Sequence, residues 1–413
     1  MNIVFISKYA CLPEYGGLGL TRQYFLSKNI IKNNPNDRVL FIGSRSSASV
    51  IPPFKGLAIE KEEDGVDIAI LNGPKIDMGF NLKRLRSWML FEFNLWRYRK
   101  KIKAFDPDVI VVSSLSIFTF ISGVYLKRKL KKPLVLEVRD IHPLTMIEIG
   151  KFSPNNPAIR LFGMVEKFGY RNADLLISPL SNAGAHFSNV LKKPFKFKWI
   201  PMGVDPEFFN NTNKPESKFN IRKDGEFLIG YAGTLGKANA LEINFEAAKL
   251  LEKSHPNIKF VFIGNGPLKN QYLEQYGGLS NVVFHDAVPK RNLQFLLQEM
   301  DVLINTWLNL PIYQFGICPN KWMDYMLAAK PILVAFSGYD SIIKNANCGI
   351  VVPAEDKMAL TEAIVKLSEM PKDELERMGQ NGKKYLLENL QYQKLAEELR
   401  NSLADILPNT GNG

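Results

Sequence analysis

The chain is poor in cysteine, with only Cys11, Cys318 and Cys348 in 413 residues and no CxxC spacing. That excludes a disulfide framework and a structural zinc site, and it fits a reducing compartment. No run of about 18 apolar residues occurs, so no transmembrane helix is expected. The N-terminal MNIVFISKYA has no basic leader, and Ser7-Lys8 breaks its apolar run, so it reads as a buried strand and not a signal peptide. Also missing are an Asp-x-Asp motif, any His/Asp/Glu cluster with metal spacing, a G-x-S-x-G elbow, a Walker loop and the kinase motif set. No metal is expected, and no nucleic-acid partner, because no helix-turn-helix, RNA-binding or zinc-finger pattern accompanies the positive charge.

Acidic residues are scarce in one half only. Residues 1–207 hold 31 Lys+Arg against 18 Asp+Glu, a net +13, whereas the rest holds 22 against 23, a net −1. Such asymmetry points to an anionic partner for the first half, or else to a merely solubilising surface.

Short apolar runs recur with amphipathic stretches between them: NIVFIS (2–7), RVLFIG (38–43), DVIVVSS (108–114), PLVLEVR (133–139) and DLLISP (174–179). Continuous apolar strands alternating with helices imply parallel sheets covered on both faces. The pattern restarts after the Pro- and Asn-rich stretch at 199–219, with FLIGYAG, IKFVFIGNG, NVVFHDAV, DVLINTW, PILVAF and CGIVVPA. The expectation is an α/β protein of two Rossmann-like, doubly wound domains facing a cleft: 1–207, 220–385, and a final helix at 386–407 that crosses back to the first.

Ligands of such sheets sit beyond the carboxyl ends of the strands. Three Gly-containing loops fall there: PEYGGLGLTRQ with Gly16 and Gly17, GYAGTLGKANAL with Thr234 and Lys237, and FIGNGPLKN with Gly264, Gly266 and Lys269. Each singly could be a tight turn. Three in register, two with lysine, fit anionic ligand groups. The stretch FGICPNKWMDYMLAAKPIL places Asn320, Lys321 and Asp324 on one helical face and Trp322 and Met326 on another. With Pro319 in the first turn and Asn320 as a good N-cap, the polar end of that helix reads as a ligand contact.

The ordered set RDIHP, IPMGVD, YAGTLGKANAL, FIGNGP and PNKWMDYMLAAKPIL resembles the retaining GT-B glycosyltransferases of family 4, in particular the bacterial branch that makes O-antigen and capsule. The resemblance implies a nucleotide-sugar donor, UDP-linked, as co-substrate with no cofactor. It implies front-face transfer with retention, without an enzyme nucleophile and without metal. Lys237 would pair with the diphosphate, with Thr234 standing where relatives carry arginine. Asp324 would accept ribose hydroxyls, with Gly316 in the place of the first glutamate of a Glu-x7-Glu pair. Asp140 would orient or deprotonate the acceptor, with His142 as the alternative base; the bland alternative is a capping aspartate.

GFNLKRLRSWMLFEFNLWRYRKKIKAFDPD (79–108) interleaves aromatics with cations. It reads either as a core helix with snorkelling lysines or as an interfacial element on an anionic bilayer, through Trp96, Arg97, Arg99, Lys100 and Lys101. The second reading fits a cytoplasmic protein peripheral to the inner membrane face, acting on a polyprenyl-diphosphate-linked acceptor. Two competing readings are a non-catalytic GT-B scaffold partnering another transferase and a sugar-nucleotide 2-epimerase.

Overall fold

A computed structural model describes residues 1–13, 21–47, 51–74, 82–210, 221–339 and 342–408. The chain divides into two compact units, Met1–Met202 with Tyr392–Gly413, and Gly203–Gln391.

The first unit runs β1 (Asn2–Ile6), α1 (Arg22–Asn33), β2 (Arg38–Ser44), β3 (Ala58–Glu63), β4 (Val66–Leu71), α2 (Leu82–Phe105), β5 (Val109–Ser113), α3 (Thr119–Leu130), β6 (Leu134–Glu137), α4 (Leu144–Glu148), α5 (Pro157–Asn172), β7 (Leu175–Ser178), α6 (Ala183–Leu191) and β8 (Phe197–Trp199). Its eight strands lie in the order β3-β4-β2-β1-β5-β6-β7-β8. Every pairing is parallel except β3 on β4. Central strands such as Val109–Ser113 are buried at every residue, which is why they read as unbroken apolar runs. The β3–β4 hairpin escaped the sequence reading, because β3 (AIEKEE) is a polar edge strand. Its signal was Asp64-Gly65, whose positive φ values of 50° and 76° suit a two-residue hairpin turn.

One buried charge cluster of this unit is closed off by its own partners. Arg22 of α1 donates to Glu137 at the end of β6 (2.8 Å), to the Ile200 carbonyl (2.7 Å) and to the Pro201 carbonyl. Gln23 donates to the other Glu137 oxygen. Burial alone would raise the Glu137 carboxyl, but Arg22 and Arg139 hold it below the usual carboxylate range. The C-terminal helix, Tyr392–Ala404, packs on α1 with Tyr392 stacked on Phe25 (5.4 Å between centroids). Its Arg400 shares Asp37 with the N-terminal amine.

The second unit continues with α7 (Glu207–Asn210), β9 (Phe227–Ala232), α8 (Glu242–Leu251), β10 (Ile258–Ile263), α9 (Lys269–Tyr276), β11 (Val282–His285), α10 (Lys290–Glu299), β12 (Val302–Thr306), α11 (Asn320–Leu327), β13 (Ile332–Ala335), α12 (Ile342–Ala346), β14 (Gly349–Val352), α13 (Lys357–Ser368) and α14 (Lys372–Asn389). Its six strands are all parallel, in the order β11-β10-β9-β12-β13-β14. Phe245 of α8 packs at 4.4 Å on Phe262 and stacks at 4.5 Å on Tyr276, so α8 and α9 are pinned to one face of the sheet.

Candidate nucleotide-sugar site

In the second unit the loops after β9 and β10 and the start of α11 come together. The β9 loop is held rigidly. Tyr231 Oη and Asn239 Nδ2 both donate to the Thr234 carbonyl (2.8 Å each), and Thr306 Oγ1, at the end of β12, donates to the Asn239 carbonyl (2.7 Å). Lys237 opens a 3-10 turn, Lys237–Asn239, with its side chain exposed. The helix that follows the loop, α8, starts further on, at Glu242.

Gly264 and Gly266 have a structural explanation of their own. A Cβ on Gly264 would lie 2.0 Å from the Gly233 carbonyl oxygen, and one on Gly266 would lie 2.2 Å from that of Leu235. The two loops therefore pack backbone against backbone, with Gly233 N–H donating to Ile263 and Leu235 N–H to Asn265. Lys269 is occupied elsewhere: it donates to Asn265 (2.8 Å) and pairs with Asp286.

Lys321 lies on that loop. Its Nζ donates to Asn239 Oδ1 and sits 4.7 Å from the centre of the Tyr231 ring. A Cβ on Gly233 would fall 2.5 Å from Lys321 Cε, so glycine at 233 is what lets the lysine stem cross the end of β9. Among the described residues no carboxylate pairs with it, and burial pushes its ammonium down to about 7. This is a cation placed in a polar cradle without its counter-charge.

The helix that carries it differs in one detail from expectation. Pro319 occupies the N-cap position and Asn320 is the first helical residue, with no side-chain cap. Trp322 and Met326 are fully buried, as their place opposite the polar face expects. Asp324 is buried too, and its carboxylate accepts from Lys290 at the start of α10. Burial raises the Asp324 carboxyl, and Lys290 opposes that rise. Sequence reasoning did not single out Lys290; its one signal was the position after Pro289 at a helix start. Gly316 has a φ of +97°, in the left-handed region that disfavours an L side chain. Its departure from glutamate is therefore a feature of backbone as well as of side chain.

In the first unit, Asp140 and His142 follow β6 at its carboxyl end. Asp140 Oδ1 accepts from Thr145 in the first turn of α4, and Oδ2 lies 3.8 Å from His142 Nδ1. Ser114 Oγ, after β5, accepts from the Arg139 N–H (2.9 Å) and so fixes the start of this loop. The His142 ring is largely buried against Trp88, and its Nδ1 has no hydrogen-bond partner among the described residues. Asp140 thus holds the Thr145 hydroxyl and not a backbone N–H of α4, whose N-cap is Pro143 without a side-chain cap, and leaves about a third of its side chain exposed (35%). Gly16 and Gly17 lie outside the described residues. Among the described residues no group of three or more His, Cys, Asp or Glu could hold a metal ion.

On α2, the five candidate membrane residues do not share one surface. Lys101 donates to Glu60 on β3 (3.2 Å), whereas Arg99 lies over the Trp96 ring (4.0 Å). Lys100 lies one turn on from Trp96 on the same side of the helix, whereas Arg97, the next residue, is turned about 100° away and lies over Phe93 (6.0 Å). No helix among the described residues is long and apolar enough to cross a membrane.

Two family models match these two units. Residues 213–385 match Glycosyl transferases group 1, and residues 51–208 match Glycosyltransferase Family 4. The chain carries glycosyltransferase domains in both halves, on a GT-B fold of two Rossmann-like α/β units. It is 23% identical over 290 residues to the probable glycosyltransferase WbjE of Pseudomonas aeruginosa, spanning 68% of this chain and 71% of that protein. It is 24% identical over 205 residues to the capsular polysaccharide biosynthesis glycosyltransferase CapM of Staphylococcus aureus, covering 48% of this chain and 51% of CapM. The same fold occurs in sucrose-phosphate synthase of Thermosynechococcus elongatus (TM-score 0.72, 15% identity, 98% of each chain covered). It occurs again in Anabaena HepE, solved with UDP-glucose (TM-score 0.64, 15% identity, covering 98% of this chain and all of that one).

Proposed function

We propose that this protein transfers a hexosyl or N-acetylhexosaminyl group from a UDP-linked sugar, with retention and without a metal, onto a lipid-linked glycan of a bacterial surface polysaccharide. The observation that carries the donor reading is Lys321, a cation that no carboxylate among the described residues pairs with, resting on a preorganised glycine loop. A diphosphate supplies the missing charge. HepE and an Escherichia coli trehalose-6-phosphate structure of the same fold are solved with UDP sugars, which supports UDP as the nucleotide. WbjE and CapM support a polysaccharide product.

In this reading Lys321 and Lys237 contact the diphosphate, and the departing phosphate is stabilised by fixed charges in place of a cation. The Thr234 loop, Pro319 and Asn320 border the sugar nucleotide. Asp324, buttressed by Lys290, faces the ribose. In the first unit, Asp140 orients the acceptor hydroxyl while Thr145 fixes its rotamer, with His142 as the neighbouring base. Positioning and leaving-group stabilisation then supply the rate, because no paired-carboxylate machinery is required for front-face transfer.

Gly316 favours the competing scaffold reading, since its backbone does not suit the glutamate that would hold the donor sugar. Calorimetric titration with UDP, GDP and ADP, with and without EDTA, separates the two. Micromolar UDP binding unchanged by EDTA supports the transferase. Absence of binding by all three nucleotides leaves the scaffold.

A further inference from the structure

Of the large apolar residues exposed among the described residues, ten of fifteen lie on α2, α3 and α5. They are not scattered. On α2 they include Met89, Phe93 and Trp96, on α3 Ile121 and Tyr125, and on α5 Leu161, Met164 and Phe168. Each set has i, i+3, i+4 or i+7 spacing, so each helix presents one outward apolar stripe. The stripes adjoin. Trp96, Arg99, Ile121 and Tyr125 line one shallow groove between α2 and α3. Arg128 of α3 lies over the Phe168 ring of α5, at 5.9 Å.

The charge on this layer is of one sign. The three helices carry eight, three and three Lys and Arg, fourteen in all, against two carboxylates, Glu92 and Glu166. Both carboxylates are turned to internal partners. Glu92 accepts from Thr119 (2.7 Å) and Ser122, and Glu166 bonds His186 (2.7 Å). Among the described residues of these three helices, the outward face therefore shows aromatics, methionine and cations and no exposed carboxylate. Arg97 and Arg99 lie over Phe93 and Trp96, so guanidinium groups flank the apolar stripe at its rim.

We infer that the α2–α3–α5 face of the first unit is a docking surface for an anionic lipid bilayer, with Phe93, Met164 and Phe168 entering the headgroup boundary and the surrounding arginines and lysines meeting lipid phosphates. A second copy of this chain is disfavoured as the occupant, because a two-fold contact through this face would bring like charges together. The surface goes beyond the aromatic-basic segment of α2: two of its three inserting residues belong to α5, and Lys101 is excluded by its pairing with Glu60. The inference rests on the surface alone and is independent of the nucleotide bound by the second unit; it shares with the proposed function only the lipid-linked acceptor.

The test is co-sedimentation of the full chain with phosphatidylcholine vesicles and with phosphatidylglycerol-rich vesicles, for wild type, the triple variant Phe93→Ser/Met164→Ser/Phe168→Ser, and the double variant Arg128→Gln/Lys167→Gln. All five positions are solvent-exposed. Wild type is expected to pellet with the anionic vesicles only. The triple variant should partition about tenfold less, and the double variant should bind more weakly at low salt, with a shallower loss than wild type as salt rises. Equal binding to both vesicle types, no binding to either, or a triple variant that pellets like wild type overturns the proposal. So does light scattering that finds a wild-type dimer dissolved by the triple variant, which would assign the face to a second copy. UDP titration of the same samples keeps the two readings apart: vesicle binding without UDP binding leaves docking standing and removes the transferase reading.

Discussion

Two cations, Arg22 in the first unit and Lys321 in the second, are held in opposite ways. In the first, Arg22 is met by Glu137, by Gln23's neighbouring contact to that carboxylate, and by two carbonyls, so its charge is spent inside the fold. In the second, Lys321 is met by one amide oxygen and one ring face. A buried charge fully paired by its own chain is part of the scaffold, whereas one paired only with neutral groups is costly unless something else arrives. The difference gives the first cluster a structural role, and the ligand-binding role proposed for Lys321 rests on it.

The comparison can be broken most strongly at Glu137. Glu137→Ala leaves Arg22 without its carboxylate in a buried site and should cost about 3–5 kcal/mol of stability in urea unfolding. A loss within experimental error would mean that the carbonyls alone satisfy the arginine. The depressed Glu137 carboxyl has a matching pH signature: its contribution is present above the unfolded-state value and is lost as pH falls through the folded value, so the variant should lose part of the acid-side slope of stability.

Lys321→Met should act the other way. Without a counter-charge to lose, the apo protein should become more stable by about 1–2 kcal/mol, while UDP affinity falls by about 1.5–3 kcal/mol. Stability and binding moving together would contradict the role of this lysine. Its ammonium titrates at about 7 in the fold but near ~10.4 when unfolded, so the unfolded chain holds the extra proton between those values and wild-type stability should rise with pH across that window. Lys321→Met should abolish that rise. Diphosphate favours the charged lysine, so UDP affinity should weaken as pH climbs past 7, with proton uptake visible by calorimetry in buffers of different ionisation enthalpy.

Gly316→Glu sharpens the comparison from the ligand side and carries the smallest effect. At φ +97° a glutamate is strained, so the variant should lose about 1–2 kcal/mol of stability and gain no transferase activity. A gain in turnover would show that the loop readily adopts the geometry that a glutamate needs.

Much of the frame was legible in the residues. Strand runs such as DVIVVSS and PILVAF were found within one or two residues, because a strand buried on both faces must be apolar throughout. The hairpin of β3 and β4 was missed because an exposed edge strand is under no such constraint. At the site, the polar face of α11 was legible from its period, and Lys321 with it. Its neighbours were less so. Gly264 and Gly266 suggested phosphate and are explained by loop packing; Lys269 suggested phosphate and pairs with Asp286. Composition names a flexible or charged residue without naming its partner.

By itself, then, the sequence determined the alternation of strands and helices, the two-unit organisation and the excess of positive charge in the first half, since these follow from local periodicity and composition. Only the tertiary structure decided which charges are neutralised internally. Lys290 meets Asp324 and Glu137 meets Arg22 across 34 and 115 residues, and Lys321 meets no carboxylate among the described residues. It likewise decided that three helices far apart in sequence present one apolar, cationic face. Pairing energy depends on distance and burial, and neither is set until distant segments have packed.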